Sequence, residues 1–122
     1  MKRLHAVSAV LELGAGAALL GFPSVTAELL IGAALQGPAP LTVARVGGGG
    51  LLAVGLACWL ARGDAQSVAA RGLVTALLLY NVLVAAVLAY AGLGFGLHGA
   101  LLWPAVVLHA AMAGWCVAVL VR

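Results

Sequence analysis

Four long apolar runs constrain this chain more than any other feature of its sequence. They cover residues 4–22, 41–61, 73–91 and 101–121, and none of them holds more than one formally charged side chain. At a rise of 1.5 Å per residue, about 20 apolar residues cross the hydrocarbon core of a bilayer, which is roughly 30 Å thick. The runs therefore predict four transmembrane helices.

The composition excludes a soluble globular fold. Hydrophobic residues make up 66% of the 122 positions, against roughly 45–50% in soluble domains. Six basic and three acidic side chains are too few to cover a surface that faces water. We therefore predict an integral membrane protein that forms a single domain over residues 1–122.

The connections between the runs define the expected architecture. They are short between the second and third runs and between the third and fourth, so neighbouring helices should be antiparallel. Pro23 stops the first run, and Gly37-Pro38 ends the segment that follows it. We predict an all-α, antiparallel four-helix membrane bundle, with a short amphipathic surface helix from about Ser24 to Leu35 between helices 1 and 2.

The basic residues predict the orientation. Five of the six flank the ends of the runs on one side of the membrane, and only Arg45 belongs to the other half: Lys2, Arg3, Arg62, Arg71 and Arg122. By the positive-inside rule, both termini then face the cytoplasm. Because these residues sit at helix ends and form no stripe, the net charge of +3 does not indicate a nucleic-acid partner.

Every predicted span contains one strongly polar residue. These are Glu12, Arg45, Asn81 and His109. Counting the helical rise from the basic ends places Glu12, Asn81 and His109 near mid-membrane and Arg45 nearer the outer interface. Ionisable groups at such depth face the bundle interior and are functional hypotheses by default. We therefore expect a polar cluster of Glu12, Asn81 and His109, with Arg45 above it.

Two neighbours extend this candidate cluster. Ser8 lies one helical turn before Glu12 and shares its face, and Tyr80 precedes Asn81. Two interpretations stay open. The polar groups either hydrogen-bond one another and fix the helix register, or they line a ligand site. For Arg45, snorkelling to the interface is the simpler interpretation.

The sequence offers no catalytic or metal-binding pattern. Cys58 and Cys116 lack a CxxC neighbour, and no nucleophile is paired with a base. His109 is the one deep histidine, whereas a haem held between two histidines needs both at one depth. We therefore predict no catalytic residues and no metal ligands. We favour a non-enzymatic protein over an enzyme, and the sequence identifies no cofactor.

Several motifs together resemble those of a known family. They are the first span with its glutamate, "LLIG" after Pro23, "ARVGGGGLLAVGLACWLAR" in the second span, "YN" in the third and "WPAVVLH" in the fourth. This pattern resembles the DoxX-like superfamily of small four-helix bacterial inner-membrane proteins, closest to its uncharacterised members. The resemblance implies a four-helix bundle in that membrane. Some relatives are linked to quinone or thiosulfate oxidation or act as accessory proteins.

These observations predict a non-enzymatic protein of the lipid bilayer. It either binds a small amphipathic molecule, a lipid or quinone, or acts as an accessory subunit of a larger membrane complex. Small residues on several faces of the second and fourth spans favour a homo-oligomer or such a complex. The alternative is a small proton-coupled multidrug-type exporter using Glu12, because those exporters resemble this chain in length and in their first-helix glutamate. The aromatic cage of those exporters is missing here.

Overall fold

The computed structural model describes residues 1–64 and 67–122, so the predicted connection over 62–71 includes two residues outside the described part. The described residues form five α-helices and no strand. In chain order they are α1 (Lys2–Gly21), α2 (Pro23–Ile31), α3 (Pro38–Ala61), α4 (Val68–Phe95) and α5 (Leu102–Leu120). This confirms the predicted all-α class, with four long helices and one short helix after the first.

All four long helices are long and apolar enough to cross a membrane. Their outward faces carry large apolar side chains that are mostly exposed, among them Val43, Val46, Leu60, Val87 and Val107. A water-soluble protein does not expose apolar surface around its whole circumference. The chain is therefore a multi-pass membrane protein.

The long helices α3 and α4 extend beyond the apolar runs that predicted them. Helix α3 begins at Pro38 rather than near Leu41, because proline is well suited to the first turn, where its missing N–H has no partner to lose. Helix α4 begins after Ser67, whose side chain accepts a hydrogen bond from the Ala70 N–H at 3.0 Å. Hydropathy alone underestimates the length of these helices, because their first turns are less apolar than the rest.

Helix α2 is shorter than predicted, and it starts differently. Pro23 is its first residue, and Gly32 ends it in the left-handed conformation with φ of 75°. Ser24 does not cap the helix; its hydroxyl donates to the Leu35 carbonyl at 3.3 Å. The sequence pattern placed the end near Leu35 because the residues after Gly32 are also apolar.

The long helices form two antiparallel pairs. In the first pair, α1 crosses α3 so closely that a Cβ on Gly16 would lie 2.8 Å from the Gly48 carbonyl oxygen, and a Cβ on Gly48 would lie equally close to the Gly16 oxygen. In the second pair, Arg71 at the start of α4 donates to the Leu120 carbonyl at the end of α5 at 3.0 Å. Because lipid supplies no hydrophobic drive between helices, such close backbone packing is what holds them together.

Helix α2 joins the two pairs at the end opposite the termini. The Leu101 N–H, just before α5, donates to the Leu29 carbonyl at 2.8 Å. Gly99 lies against the same turn, where an added Cβ would overlap the Leu29 and Leu30 carbonyls. The connection between α4 and α5 therefore packs directly on α2, backbone against backbone.

The two halves of the bundle differ in packing. A buried core draws side chains from all four long helices near the end that holds the termini: Leu4, Ala9, Cys58, Val74, Leu77, Met112 and Cys116. In the other half the helix pairs stand further apart, and a cavity lies between them beneath α2. The fold thus has a packed half and an open half.

The close approach of Gly16 and Gly48 gives a direct test of the packing between α1 and α3. Gly16→Ala and Gly48→Ala should each lower the free energy of unfolding by about 1–3 kcal/mol, because a methyl group has no room between the two backbones. Gly47→Ala and Gly49→Ala are matched controls, since nothing lies within 4 Å of either added Cβ. Reversible unfolding in mixed detergent micelles measures all four, and equal losses at all four positions would contradict the crossing.

Candidate functional site

The cavity between the helix pairs is the candidate site. Its volume is about 540 Å³, which lies within the range of pockets that bind small molecules. All five helices contribute to its wall: α1, α4 and α5 provide most of it, α3 adds Leu51, and α2 covers it with Thr26, Leu29 and Leu30. The cavity is therefore a property of the whole bundle rather than of one helix pair.

Four polar side chains meet at the end of the cavity that adjoins the packed core. Glu12 comes from α1, Tyr80 and Asn81 from α4, and His109 from α5. Glu12 and Asn81 are almost fully buried, with 6% and 3% of their surface exposed. The Tyr80 hydroxyl faces the Glu12 carboxylate as a hydrogen-bond donor, and His109 lies within electrostatic range of the same carboxylate. We call this group the polar end of the cavity.

Tyr80 links the carboxylate to the imidazole. Its ring meets the His109 ring edge-on, with centroids 5.8 Å apart and planes at 66°. His109 Nδ1 is 2.8 Å from the Ala105 carbonyl oxygen. Because a carbonyl oxygen only accepts, Nδ1 carries a hydrogen, and Nε2 of the neutral ring is then an acceptor. Glu12, Tyr80 and His109 thus present acceptors and donors side by side.

Asn81 is fixed by its own helix. Its Nδ2 donates to the Leu77 carbonyl one turn earlier, at 2.7 Å. His109 is held in the same way on α5. Asn81 and His109 therefore hydrogen-bond to their own backbones, and Glu12 faces Tyr80 instead. This differs from a network in which Glu12, Asn81 and His109 bond to one another.

The rest of the cavity wall is apolar. Towards α2 it is formed by leucines and a proline, including Leu29, Leu88, Leu101 and Pro104. Thr26 also lies there, but its hydroxyl donates to the Phe22 carbonyl at 2.8 Å. The cavity is therefore amphipathic along its length, with a polar end beside the core and an apolar end beneath α2.

The structure separates Arg45 and Ser8 from this group. Arg45 is exposed, and its Nε donates to the Leu20 carbonyl in the last turn of α1 at 3.3 Å; it is not among the residues that line the cavity. Ser8 lies one turn below Glu12 in the packed core, with 1% of its surface exposed. That the remaining polar residues bind a ligand stays a prediction.

Two features of the site escaped the sequence analysis. His5 is completely buried, which its place near the chain terminus does not indicate. Its spacing of three residues from Ser8 and seven from Glu12 is the signal that places it on their face of α1. The cover formed by α2 has no such signal, because it depends on a tertiary contact with the α4–α5 connection.

The polar end can hold an oxygen-bearing group and exchange protons with it. A carboxyl, a phenol and an imidazole supply donors and acceptors within one apolar surrounding, where each hydrogen bond is stronger than in water. Among the described residues, no group of three or more His, Cys, Asp or Glu side chains is placed to hold a metal ion. The carboxyl, phenol and imidazole groups themselves support hydrogen bonding and proton transfer.

The contact between Glu12 and Tyr80 can be measured by a double-mutant cycle. Glu12→Leu and Tyr80→Phe should be non-additive by about 0.5–3 kcal/mol in the free energy of unfolding, because each removes one partner of the same buried interaction. Glu12→Leu with Arg45→Gln is the control pair, and it should be additive because Arg45 lies outside the cavity. Additivity of the first pair would show that the two side chains do not interact.

We compared the chain with protein families, curated proteins and solved structures. No family model, no curated protein and no solved structure matches it. The resemblance to the DoxX-like superfamily accordingly stays a prediction from the quoted motifs, and the cavity with its polar end carries the functional interpretation.

Proposed function

We propose that this membrane protein binds a small amphipathic molecule in the cavity between its helix pairs. The head of the molecule meets Glu12, Tyr80 and His109, and its apolar body extends towards α2. The observation that supports this proposal is the amphipathic lining: polar groups converge at one end of a cavity whose other wall is almost entirely hydrocarbon. Binding sites for small molecules share this combination.

The polar end favours an uncharged head that bears oxygen atoms. A phosphate group would bring a full negative charge into a cavity whose wall, in the described part of the chain, carries no lysine or arginine to neutralise it, and an unpaired charge in apolar surroundings is costly. A quinone carbonyl can accept from the Glu12 carboxyl group when that group is protonated, and a hydroxyl group can donate to Nε2 of His109, so neither brings a charge into the cavity. A quinone or a neutral lipid therefore fits better than an anionic phospholipid.

Proton-coupled export of a cation is the second candidate function. It is supported by the position of Glu12, a nearly buried carboxyl group that faces a cavity of substrate size. A cationic substrate would replace a proton on that carboxylate, whereas a neutral amphipathic molecule would hydrogen-bond to the whole polar end. The two functions differ in the charge of the ligand and in their dependence on Tyr80 and His109.

Orientation and assembly are also proposals. The basic residues Lys2, Arg3, Arg62 and Arg71 lie at one end of the bundle, which supports a bacterial inner-membrane protein with both termini inside. Exposed small residues on α3 and α5, such as Ala57, Ala110 and Gly114, leave room for a second helix. They support a homo-oligomer or a docked partner protein.

Filling the cavity should abolish ligand binding. Ala105 lines the cavity on α5, and Ala110 on the same helix is exposed on the outside. Ala105→Phe should therefore lower retention of a bound quinone or neutral lipid at least tenfold, because its ring occupies the space for the ligand. Ala110→Phe should retain it like the wild type. Native mass spectrometry after purification in mild detergent, and fluorescence titration with a short-chain quinone, measure both variants.

Two outcomes would contradict this function. Equal binding by both variants would show that the ligand lies outside the cavity. A growth assay with toxic cations gives the second test: tolerance conferred by the wild-type protein and lost in Glu12→Gln would favour export instead. A binding protein should confer no such tolerance.

A further inference from the structure

Two buried polar side chains in the packed half of the bundle lack a well-formed hydrogen bond. His5 has 0% and Ser8 has 1% of its surface exposed. The Oγ atom of Ser8 makes no hydrogen bond within the described part of the chain, and the ring nitrogens of His5 make none of good geometry, the nearest partner being the Ala61 backbone. Buried polar groups in proteins almost always find a partner, and where the protein provides none, internal water does.

His5 and Ser8 stand in line with Glu12. The spacings of three and four residues place all three side chains on one face of α1. Along the helix axis, His5 and Ser8 are about 4.5 Å apart and Ser8 and Glu12 about 6 Å apart. One water molecule between two polar atoms spans about 5.6 Å, which is two hydrogen bonds of 2.8 Å. The rise along the helix is thus comparable to the span of one water-mediated bridge in each gap.

The two ends of this line differ in their surroundings. At the end of the bundle that holds the termini, His5 lies beside the Ala61 carbonyl at the end of α3. There it is within electrostatic range of the Asp64 carboxylate and the chain's amino terminus. At the inner end, Glu12 faces Tyr80 at the polar end of the cavity. The line therefore connects the end of α3, beside Asp64, to the end of the cavity where Glu12 lies.

We propose that His5 and Ser8, with bridging water, form a proton path between the Asp64 end of the bundle and Glu12. This path goes beyond the proposed ligand binding, because it operates on Glu12 with or without a ligand. It gives a reason for two polar groups in a core that is otherwise made of leucine, valine, alanine, methionine and cysteine side chains.

The proton transfers balance at every step. A neutral His5 ring accepts a proton on its outer nitrogen and releases one from the other nitrogen to the first water. That water passes a proton to the Ser8 hydroxyl, which gives its own proton to the second water. The second water protonates the Glu12 carboxylate. One proton reaches Glu12, Ser8 and both waters stay neutral, and His5 is left as its other neutral tautomer, which turns its ring or exchanges protons before the next transfer.

Other ionisable groups surround the path and must be considered with it. Cys58 on α3 lies within electrostatic range of Glu12 and of Cys116 on α5, and both thiols are free and buried. Tyr80 and His109 face Glu12 from α4 and α5. Asp64 and the amino terminus act on His5. Of the polar side chains, only His5 and Ser8 lie on the same buried face of α1 between its first turn and Glu12.

Time-resolved infrared spectroscopy after a pH jump can follow protonation of Glu12 in the protein reconstituted into neutral lipid vesicles. The chain has only three acidic side chains, so Glu12→Gln identifies the carboxyl band directly. Ser8→Ala and His5→Phe should each slow protonation of Glu12 at least tenfold, with no change in the final protonated fraction. Ser8→Thr should keep the wild-type rate because it keeps the hydroxyl group.

Two exposed positions provide matched controls. His98→Phe removes an exposed histidine, and Thr75→Ala removes an exposed hydroxyl on α4; both should leave the rate unchanged. Wild-type rates in Ser8→Ala or in His5→Phe, within a factor of two, would overturn the path. An equal slowing in Ser8→Thr would also overturn it, since packing rather than the hydroxyl would then set the rate. Circular dichroism of each variant confirms its helix content.

Failure of the path and failure of the proposed function are distinguishable. The infrared rates are measured without added ligand, so they do not depend on ligand retention. If the variants change the rate of Glu12 protonation as expected but the wild-type protein retains no quinone or lipid, the binding function alone would be contradicted. If the protein retains a ligand but the His5 and Ser8 variants protonate Glu12 at the wild-type rate, the proton path alone would be contradicted.

Discussion

Hydrocarbon cannot form hydrogen bonds, and this constraint governs where the polar side chains of the four spans point. Thr75, Asn81 and His109 all bond to a carbonyl one turn earlier on their own helix, which satisfies them without a second helix. Arg45 reaches the last turn of α1. When ionised, Glu12 has no such local solution, because a carboxylate only accepts and helix carbonyls do not donate. Its partner has to come from another helix, and Tyr80 supplies it.

The packing of the helices follows from the same surroundings. Lipid provides no hydrophobic driving force between helices, so helices pack tightly where small residues let their backbones approach each other. Gly16 and Gly48 bring α1 and α3 into backbone contact. Near the cavity the two helix pairs have no equivalent contact, and α2 with the α4–α5 connection spans the gap. The cavity is thus the region that two tightly packed pairs leave between them, and Glu12 lies at its floor.

The sequence predicted much of this fold because membrane spans have a strong local signal. Length and hydropathy identified the four long helices, and Glu12, Asn81 and His109, which the sequence placed near mid-membrane, all line the cavity. The cover of the cavity was beyond sequence reasoning, since Gly99 and Leu101 contact α2 only after the chain has folded. The run of four glycines shows the same limit: Gly48 alone contacts α1, and a pattern of identical residues does not reveal which one faces the neighbour.

Reaction of Glu12 with an apolar carbodiimide tests the central claim most directly. The reagent enters lipid and modifies protonated carboxyl groups, so it reports whether an apolar molecule reaches Glu12 through the cavity. We expect mass spectrometry of peptides from the protein in lipid vesicles to show modification at Glu12 in the wild type and in Ala110→Phe, and little in Ala105→Phe. Exposed Glu28 is the internal reference for a water-soluble carbodiimide. Absence of modification at Glu12, or equal modification in all three proteins, would contradict a cavity that leads to this carboxyl group.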